Sequence, residues 1–295
     1  MRLPVPCFAG AAAIVAMLGP APAAAGQTGG ATVPPTSGTG NVDRVTTPTA
    51  TGHKALLTNL ELSRPKLFLY GRAAKLAFSI AGRAVDMRLR VLRADDRAAV
   101  ATLDLGEQAP GSHEIRFTGR ESGVLPNGRY LLKATGRGLR RSRGVAASVE
   151  FQLLDHRFPL VGAFDWGAEG ARFGAPREGH IHQGQDLAAA EGTPVVAPRG
   201  GVIETVQYQA SGAGHYVVLD GAEEDRDYVF MHLRDGSIRV REGQRVRTGQ
   251  RLGDVGTTGS STGPHLHFEI WVGGWYAGGQ PIDPLPSLQE WAAAL

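Results

Sequence analysis

The sequence predicts an all-β protein with two folded domains. Apolar and polar residues alternate with a period of two along the first half, as in strands with one buried face. In the second half, short β-rich runs are separated by glycines and helical patterns are scarce. With 295 residues, of which 42% are hydrophobic, the chain is long enough to form two compact cores.

Residues 1–25 have the pattern of a secretory signal peptide. One charged residue, Arg2, precedes an apolar run from Phe8 to Leu18, and the small residues Ala21–Ala25 follow. The apolar run is shorter than the roughly 20 residues that a membrane-spanning helix requires, and no later segment approaches that length. The pattern predicts export without stable membrane insertion, and a retained membrane anchor is the alternative. Cys7, the sole cysteine, lies in this segment, so any metal site must use nitrogen and oxygen ligands.

Residues 26–54 consist largely of Gly, Thr, Pro and Ser, with hardly any bulky apolar side chain. Such a composition buries too little surface to offset the entropy of ordering. We therefore expect a flexible linker here.

Residues 55–154 are predicted to form a small antiparallel β-sandwich. The alternating runs are Met87–Val91, His113–Phe117 and Tyr130–Ala134, and the turns between them are Pro110–Ser112 and Pro126–Gly128. The segment from Pro110 to Ala134 resembles immunoglobulin-like and fibronectin-like modules. This resemblance implies an N-terminal immunoglobulin-like β-sandwich.

Residues 155–286 are predicted to form a compact, mostly antiparallel β domain, followed by a C-terminal tail at residues 287–295. The β-rich runs are 193–206, 216–219, 228–233, 238–255 and 265–272. The stretch Gln185–Glu191 could pass for a helical turn, but the glycines on either side of it argue against a long helix.

The charge pattern gives no support to nucleic-acid binding. The formal net charge is +3, and the Lys and Arg residues are dispersed along the chain without a nucleic-acid-binding motif. The glycine-rich run Gly256–Gly263 lacks the Lys-Ser/Thr pair of a phosphate-binding loop. We expect this run to line a substrate groove, and we expect no nucleic-acid partner.

Three histidine-containing segments of the second domain carry candidate chemistry: residues 179–186, 228–233 and 263–270. On a strand, His265 and His267 lie on one face and Leu266 and Phe268 on the other. One imidazole could then bind a metal ion while the other faces the open coordination position of that ion. Alternation alone does not say whether His265 or His267 is the ligand.

A catalytic zinc ion typically takes three protein ligands, so further donors are needed. His182 and Asp186, four residues apart around Gly184, can reach one ion through a tight loop. His180 is the rival ligand, because it would share the face of His182 on a strand. Glu269 shares the face of His267 and could hold that imidazole, although a surface glutamate is an equal alternative.

These segments resemble the lysostaphin or LytM type of zinc endopeptidase. The matching segments are His182–Asp186, Tyr228–Leu233 and Gly259–Glu269, together with Gly192–Ala197 and the Glu242–Gln244 and Thr248–Gln250 turns. The resemblance covers roughly residues 164–284. It implies that the second domain is a LytM-type peptidase domain and that His182, Asp186 and His267 bind Zn²⁺, with catalytic roles for His232 and His265.

The resemblance also implies an activity: hydrolysis of peptide bonds in the stem peptides or cross-bridges of bacterial peptidoglycan. The expected location is secreted, at the cell wall, or in the periplasm of a host with an outer membrane. The alternative is a zinc-free or weakly active module that binds cell wall or activates another wall hydrolase. The sequence does not identify a protein partner.

Overall fold

The computed structural model describes residues 54–121, 123, 125–275 and 277–295. All of them belong to one compact unit, Thr49–Leu295. The predicted signal peptide and all of the predicted linker except Lys54 lie outside the described residues. Among the described residues, no helix has the length and apolar character needed to cross a membrane.

Residues 55–154 form two β-sheets around one core. The strands are β1 Ala55–Leu62, β2 Lys66–Phe68, β3 Ala74–Ala81, β4 Val85–Arg93, β5 Ala99–Gln108, β6 Gly111–Phe117, β7 Gly128–Gly136, β8 Leu139–Arg141 and β9 Val149–Leu154. One sheet has the order β6-β3-β1-β8, and the other has the order β2-β9-β7-β4-β5. Most pairings are antiparallel, but β1 pairs with β8 and β2 with β9 in parallel.

Alternation explains how this core forms. Leu76 and Phe78 of β3 are fully buried, and so are Leu89 of β4, Leu132 of β7 and Phe151 of β9 from the other sheet. The polar residues between them face solvent, as the period of two requires. The immunoglobulin-like assignment of this region stays a prediction.

Residues 155–295 contain the second core. The elements are a 3₁₀ turn Glu169–Ala171, β10 Pro176–Arg177, β11 His180–Ile181, β12 Gln185–Ala188, β13 Pro194–Val196, β14 Gly201–Gln209, β15 Gly214–Gly221, β16 Arg226–Leu233, β17 Arg245–Val246, β18 Arg251–Asp254, β19 His265–Val272, β20 Gln280–Ile282 and α1 Leu285–Ala292. The main sheet has the order β12-β19-β16-β15-β14-β17, with β20 also paired to β19. The pairs β10–β11 and β13–β18 stand apart from it. The described part of the chain is mostly strand, which confirms the all-β prediction.

The two faces of strand β19 have different surroundings. Leu266, Phe268 and Ile270 are fully buried in the second core. His267, Glu269 and Trp271 lie on the opposite face, where Trp271 packs in a smaller apolar cluster. Residues Gln185–Ala188 form strand β12 rather than a helical turn.

The C-terminal segment differs from the expected tail. Residues 285–292 form α1, and its Leu288 and Trp291 are buried in the second core. The Trp291 ring also stacks on His156, with ring centroids 4.8 Å apart. Eight helical residues give too little periodicity to stand out in the sequence, so only the tertiary contacts define this helix.

The two β regions pack against each other within the unit. Arg120 pairs with Glu223 at 2.9 Å, and its guanidinium lies 4.2 Å from the centre of the Tyr70 ring. Thr248 donates a hydrogen bond to the carbonyl of Leu69 and accepts one from the backbone of Gly200. These contacts tie the second β region directly to the first.

Candidate metal centre

Strand register places Asp186 directly opposite His267. Strands β12 and β19 are antiparallel, and this pair is in register with Leu187 opposite Leu266. Directly opposed residues project from the same face of a sheet, so the carboxylate and the imidazole meet on the face away from the second core. His182 approaches the same point from the chain just before β12.

Three side-chain atoms converge there. Asp186 Oδ1 is 3.1 Å from His182 Nε2 and 2.8 Å from His267 Nδ1, and the two nitrogens are 2.9 Å apart. These three residues are the group of His, Asp and Glu side chains that could hold a metal ion in the described part of the chain. His182 and His267 are buried, and Asp186 is partly exposed.

The outer nitrogen of each imidazole fixes its tautomer. His182 Nδ1 is 2.7 Å from the carbonyl oxygen of Arg172, and His267 Nε2 is 2.9 Å from Glu269 Oε1. Each outer nitrogen donates to an oxygen, which leaves the inner nitrogen with a lone pair. Trp271 Nε1 donates to the other oxygen of Glu269 at 2.7 Å. Glu269 is buried and holds the imidazole of His267, so it is not a surface glutamate.

The electrostatics of the group require a positive charge at its centre. Burial would raise the pKa of Asp186, but hydrogen bonds to His182 and His267 hold that pKa far below its usual range. Burial would lower the pKa of His267, but its hydrogen bonds to Asp186 and Glu269 raise that pKa to about 9. Two imidazole lone pairs and a carboxylate oxygen all face one point, so a proton or a metal cation must compensate them. The donor set fits a cation.

His265 and His232 border this group. Their ring centroids are 4.8 Å apart, and His265 Nε2 is 3.7 Å from Asp186 Oδ1. His265 Nδ1 donates to the carbonyl of Gly263 at 2.8 Å, and His232 Nδ1 donates to the carbonyl of Thr258 at 2.8 Å. Burial, and then the neighbouring histidines, lower the pKa of His232 to about 4. A neutral His232 with Nδ1 occupied has Nε2 available as a proton acceptor.

The backbone of His232 departs from regular strand geometry. Regular alternation from Phe230, which is buried in the second core, would direct His232 to that same core. Its φ is +61°, a left-handed conformation that is uncommon outside glycine. The ring consequently lies beside His265 rather than in the core. Nothing in the sequence pattern reveals this change of direction.

The run Gly256–Gly263 packs beside the hairpin loop between β14 and β15. Ser260 donates from its backbone N–H to the carbonyl of Gly212 at 2.9 Å. Thr258 Oγ1 donates to the carbonyl of Leu233 and accepts from the backbone N–H of His215. Thr258, which no sequence motif singles out, holds both this loop and the ring of His232.

Two further histidines, His180 and His215, lie outside the group. His180 is exposed, and its Nδ1 contacts the carbonyl of Glu178 in its own turn at 3.0 Å. His215 Nε2 is 3.1 Å from Asp235 Oδ1, and its ring lies against Tyr208. Of the rival pair, His182 therefore joins Asp186 and His267, whereas His180 does not.

Residues 180–284 match peptidase family M23. The chain carries an M23 peptidase domain. This confirms the family that the histidine segments resemble. The five predicted site residues all lie within the M23 domain, and their individual roles stay predictions.

Two curated relatives match part of this chain. An uncharacterized metalloprotease of Haemophilus influenzae is 46% identical over 104 residues, which cover 35% of this chain and 20% of the relative. The peptidoglycan DD-endopeptidase ShyC of Vibrio cholerae is 36% identical over 109 residues, which cover 37% of this chain and 24% of the relative. The chain therefore spans about a quarter or less of the length of these two relatives.

A solved structure is also similar to part of this chain. The catalytic domain of lysostaphin from Staphylococcus simulans is 31% identical, with a TM-score of 0.39. The alignment covers 43% of this chain and 92% of that domain.

Proposed function

We propose that this protein is a zinc-dependent endopeptidase that hydrolyses peptide bonds in bacterial peptidoglycan. The observation that carries the proposal is the convergence of His182 Nε2, His267 Nδ1 and Asp186 Oδ1, with both imidazole tautomers fixed by outer hydrogen bonds. This convergence lies inside an M23 peptidase domain.

Two imidazoles and one carboxylate suit zinc. Catalytic zinc sites commonly use three such ligands and leave a fourth position open. Ca²⁺ and Mg²⁺ prefer sites made only of oxygen ligands, so they suit this donor set poorly. A zinc ion held here would supply Lewis acidity, which polarises a peptide carbonyl and makes water acidic enough to react near neutral pH.

We assign proton transfer and oxyanion stabilisation to His232 and His265. Each has Nδ1 engaged with a backbone carbonyl, so Nε2 can accept a proton during attack on the peptide bond. The imidazolium formed in this way would then donate a hydrogen bond to the developing oxyanion. The low pKa of His232 keeps its Nε2 unprotonated at neutral pH.

The substrate and the location are also part of the proposal. The peptidoglycan DD-endopeptidase ShyC is similar to part of this chain, which supports a wall peptide as substrate. The pattern of residues 1–25 supports export. We further propose that residues 55–154 are an immunoglobulin-like accessory module beside the peptidase domain.

The test compares metal content and activity in one set of variants. The full chain is purified, its bound metals are measured by mass spectrometry, and release of muropeptides from peptidoglycan is followed. His267→Ala removes a proposed ligand, and His180→Ala removes an exposed histidine near the same site. We expect the parent and His180→Ala to bind one zinc ion and release product, and His267→Ala to do neither.

Each failure has a distinct meaning. If the parent binds no zinc, or releases no more product than His267→Ala, the proposal that the protein is a zinc-dependent endopeptidase is wrong. Binding to peptidoglycan without hydrolysis would instead support the alternative of a wall-binding or activating module. Loss of zinc in His180→Ala but not in His267→Ala would reassign the ligand.

A further inference from the structure

A short hairpin brings an arginine to the edge of the metal centre. Strands β10 and β11 pair Arg177 with His180 across the turn Glu178–Gly179. His182 directly follows the second strand of this hairpin, and both Arg177 and His182 contact the carboxylate of Asp186. The hairpin therefore presents Arg177 on the same side as the imidazole of His182.

The two oxygens of Asp186 have different partners. Oδ1 lies among the nitrogens of His182 and His267. Oδ2 accepts a hydrogen bond from Arg177 Nη2 at 3.1 Å. The guanidinium thus lies one carboxylate away from the point where the three metal-binding atoms meet.

Arg177 retains capacity for a second partner. Its side chain is 35% exposed, and within the described residues its guanidinium has Asp186 as its acceptor. A guanidinium carries five N–H donors, so most of them face no acceptor in this part of the chain. A metal ion on Oδ1 would also draw negative charge away from Arg177.

The charge balance at the site favours an anionic ligand. A divalent ion together with Arg177 outweighs the carboxylates of Asp186 and Glu269 by one positive charge, because the tautomer-fixed imidazoles are neutral. A planar carboxylate matches the fork of an arginine better than it matches a lysine. An anion bound by the free donors would lie beside the open side of the metal centre.

We propose that Arg177 binds a carboxylate of the substrate, so that peptides with a free carboxylate next to the cleaved bond are preferred. This inference rests on the proposed peptidase function and adds a substrate class to it. Arg177 acts as a specificity-determining residue, and its contact with Asp186 holds the guanidinium in place before the substrate arrives.

Binding is tested without hydrolysis. The probes are acetyl-D-alanyl-N-methyl-D-alanine and its C-terminal amide, in which methylation of the peptide nitrogen hinders cleavage. Their affinities for the zinc-loaded full chain are measured by isothermal titration calorimetry. We expect the parent to bind the acid at least about fivefold more tightly than the amide, and Arg177→Gln to bind both equally, because a charged pair in a partly buried site is worth about 1 kcal/mol or more.

Cleavage is tested with the acid and amide forms of acetyl-D-alanyl-D-alanine. In Arg177→Gln, kcat/KM for the acid should fall about tenfold or more, and kcat/KM for the amide should change little. Arg177→Lys should recover part of the preference, since it keeps the charge but not the fork. Arg241→Gln, which removes an exposed arginine from a turn elsewhere in the domain, is the matched control.

Zinc affinity is measured for every variant by competition with a chelating dye. Equal affinity for acid and amide in the parent, or no measurable binding of the acid, would overturn the proposal. So would weaker zinc binding in Arg177→Gln with equal losses on both substrates, since Arg177 would then only orient Asp186. A parent with Arg177-dependent acid binding but no hydrolysis would overturn the peptidase function and leave the carboxylate site standing.

Discussion

His267 donates from Nε2 to Glu269 Oε1, two residues further along the same strand, at a distance of 2.9 Å. Trp271, two residues beyond, donates to the other oxygen of the same carboxylate. Three consecutive residues of one face of β19 thus form a chain of hydrogen bonds that ends at the candidate metal centre. Only Glu269 carries negative charge in this chain, and both of its oxygens face N–H donors.

Glu269→Gln should weaken zinc binding by about 10- to 100-fold, the usual cost of losing a partner that orients a metal-binding imidazole. The amide must turn its NH₂ group toward either His267 or Trp271, so one N–H donor loses its acceptor. A chelator competition assay gives the zinc affinity directly. Glu290→Gln, an exposed residue of α1, is the control, and equal zinc affinity in the two variants would show that Glu269 does not support the site.

Gly184→Ala should disturb both stability and zinc binding. A Cβ at this position would lie 2.5 Å from the carbonyl oxygen of Phe268 and 2.8 Å from Nε2 of His267. Overpacking of this kind costs about 1–3 kcal/mol in the free energy of unfolding. Urea denaturation checks the loss, with Gly170→Ala as the control because a Cβ there meets nothing within 4 Å. Unchanged stability and zinc affinity in Gly184→Ala would contradict the close packing.

His232 should be essential for hydrolysis but not for zinc binding. His232→Asn removes the imidazole and keeps a residue type that tolerates the left-handed conformation. His232→Val also removes the imidazole, but a β-branched residue is strained at a φ of +61°. We expect both variants to retain zinc and lose at least about 100-fold in kcat, a typical share for acid–base catalysis.

Thermal unfolding separates the two His232 variants. His232→Val should unfold at a lower temperature than His232→Asn, by an amount corresponding to about 1–3 kcal/mol. Retained activity in His232→Asn would remove this histidine from the mechanism, whereas equal melting temperatures would argue against the left-handed backbone.

His156 should make stability depend on pH. Burial would lower its pKa, but hydrogen bonds to Asp155 and Glu224 raise that pKa above the ordinary value. Its Nδ1 is 3.1 Å from Asp155, and its Nε2 is 3.1 Å from Glu224. The stabilisation is present below the unfolded pKa of about 6.5 and is lost as the pH rises through the folded pKa.

The ionisation of Asp155 sets the low-pH limit of the stabilisation. Burial would raise its pKa, but hydrogen bonds to His156 and Asn127 hold it below the ordinary range. Its contribution is therefore present above a pH of about 4 and is lost as the pH falls through the depressed folded pKa. The two groups together should stabilise the fold most between a pH of about 4 and 6.5.

The measurement is the difference in unfolding free energy between the parent and His156→Gln, with a chelator present, at a pH of about 5.5 and about 8.5. The difference should be larger at the lower pH, on the order of 2 kcal/mol. Taking the difference cancels the contribution of His267, which titrates in both proteins. A difference that grows toward the higher pH would show that His156 is buried as a neutral ring.

The sequence by itself determined the strand character and one face of the site. Alternation in residues 265–268 directs both histidines away from the apolar core, because successive side chains of a strand point to opposite faces. Alternation also predicted β4, β6 and β7 of the first β region, three of the nine strands described there, and glycine-bounded β-rich runs predicted most of the longer strands of the second. The order of strands in the sheets depends on contacts between distant segments, so alternation within a segment could not specify it.

Only the tertiary structure decided which side chains meet. The register of β12 against β19 places Asp186 opposite His267, and the hairpin before β12 brings in His182 while leaving His180 exposed. The left-handed backbone of His232 and the core contacts of Leu288 and Trp291 also have no local signature. In each case the deciding energy comes from hydrogen bonds and packing between residues far apart in the chain, which a local pattern does not encode.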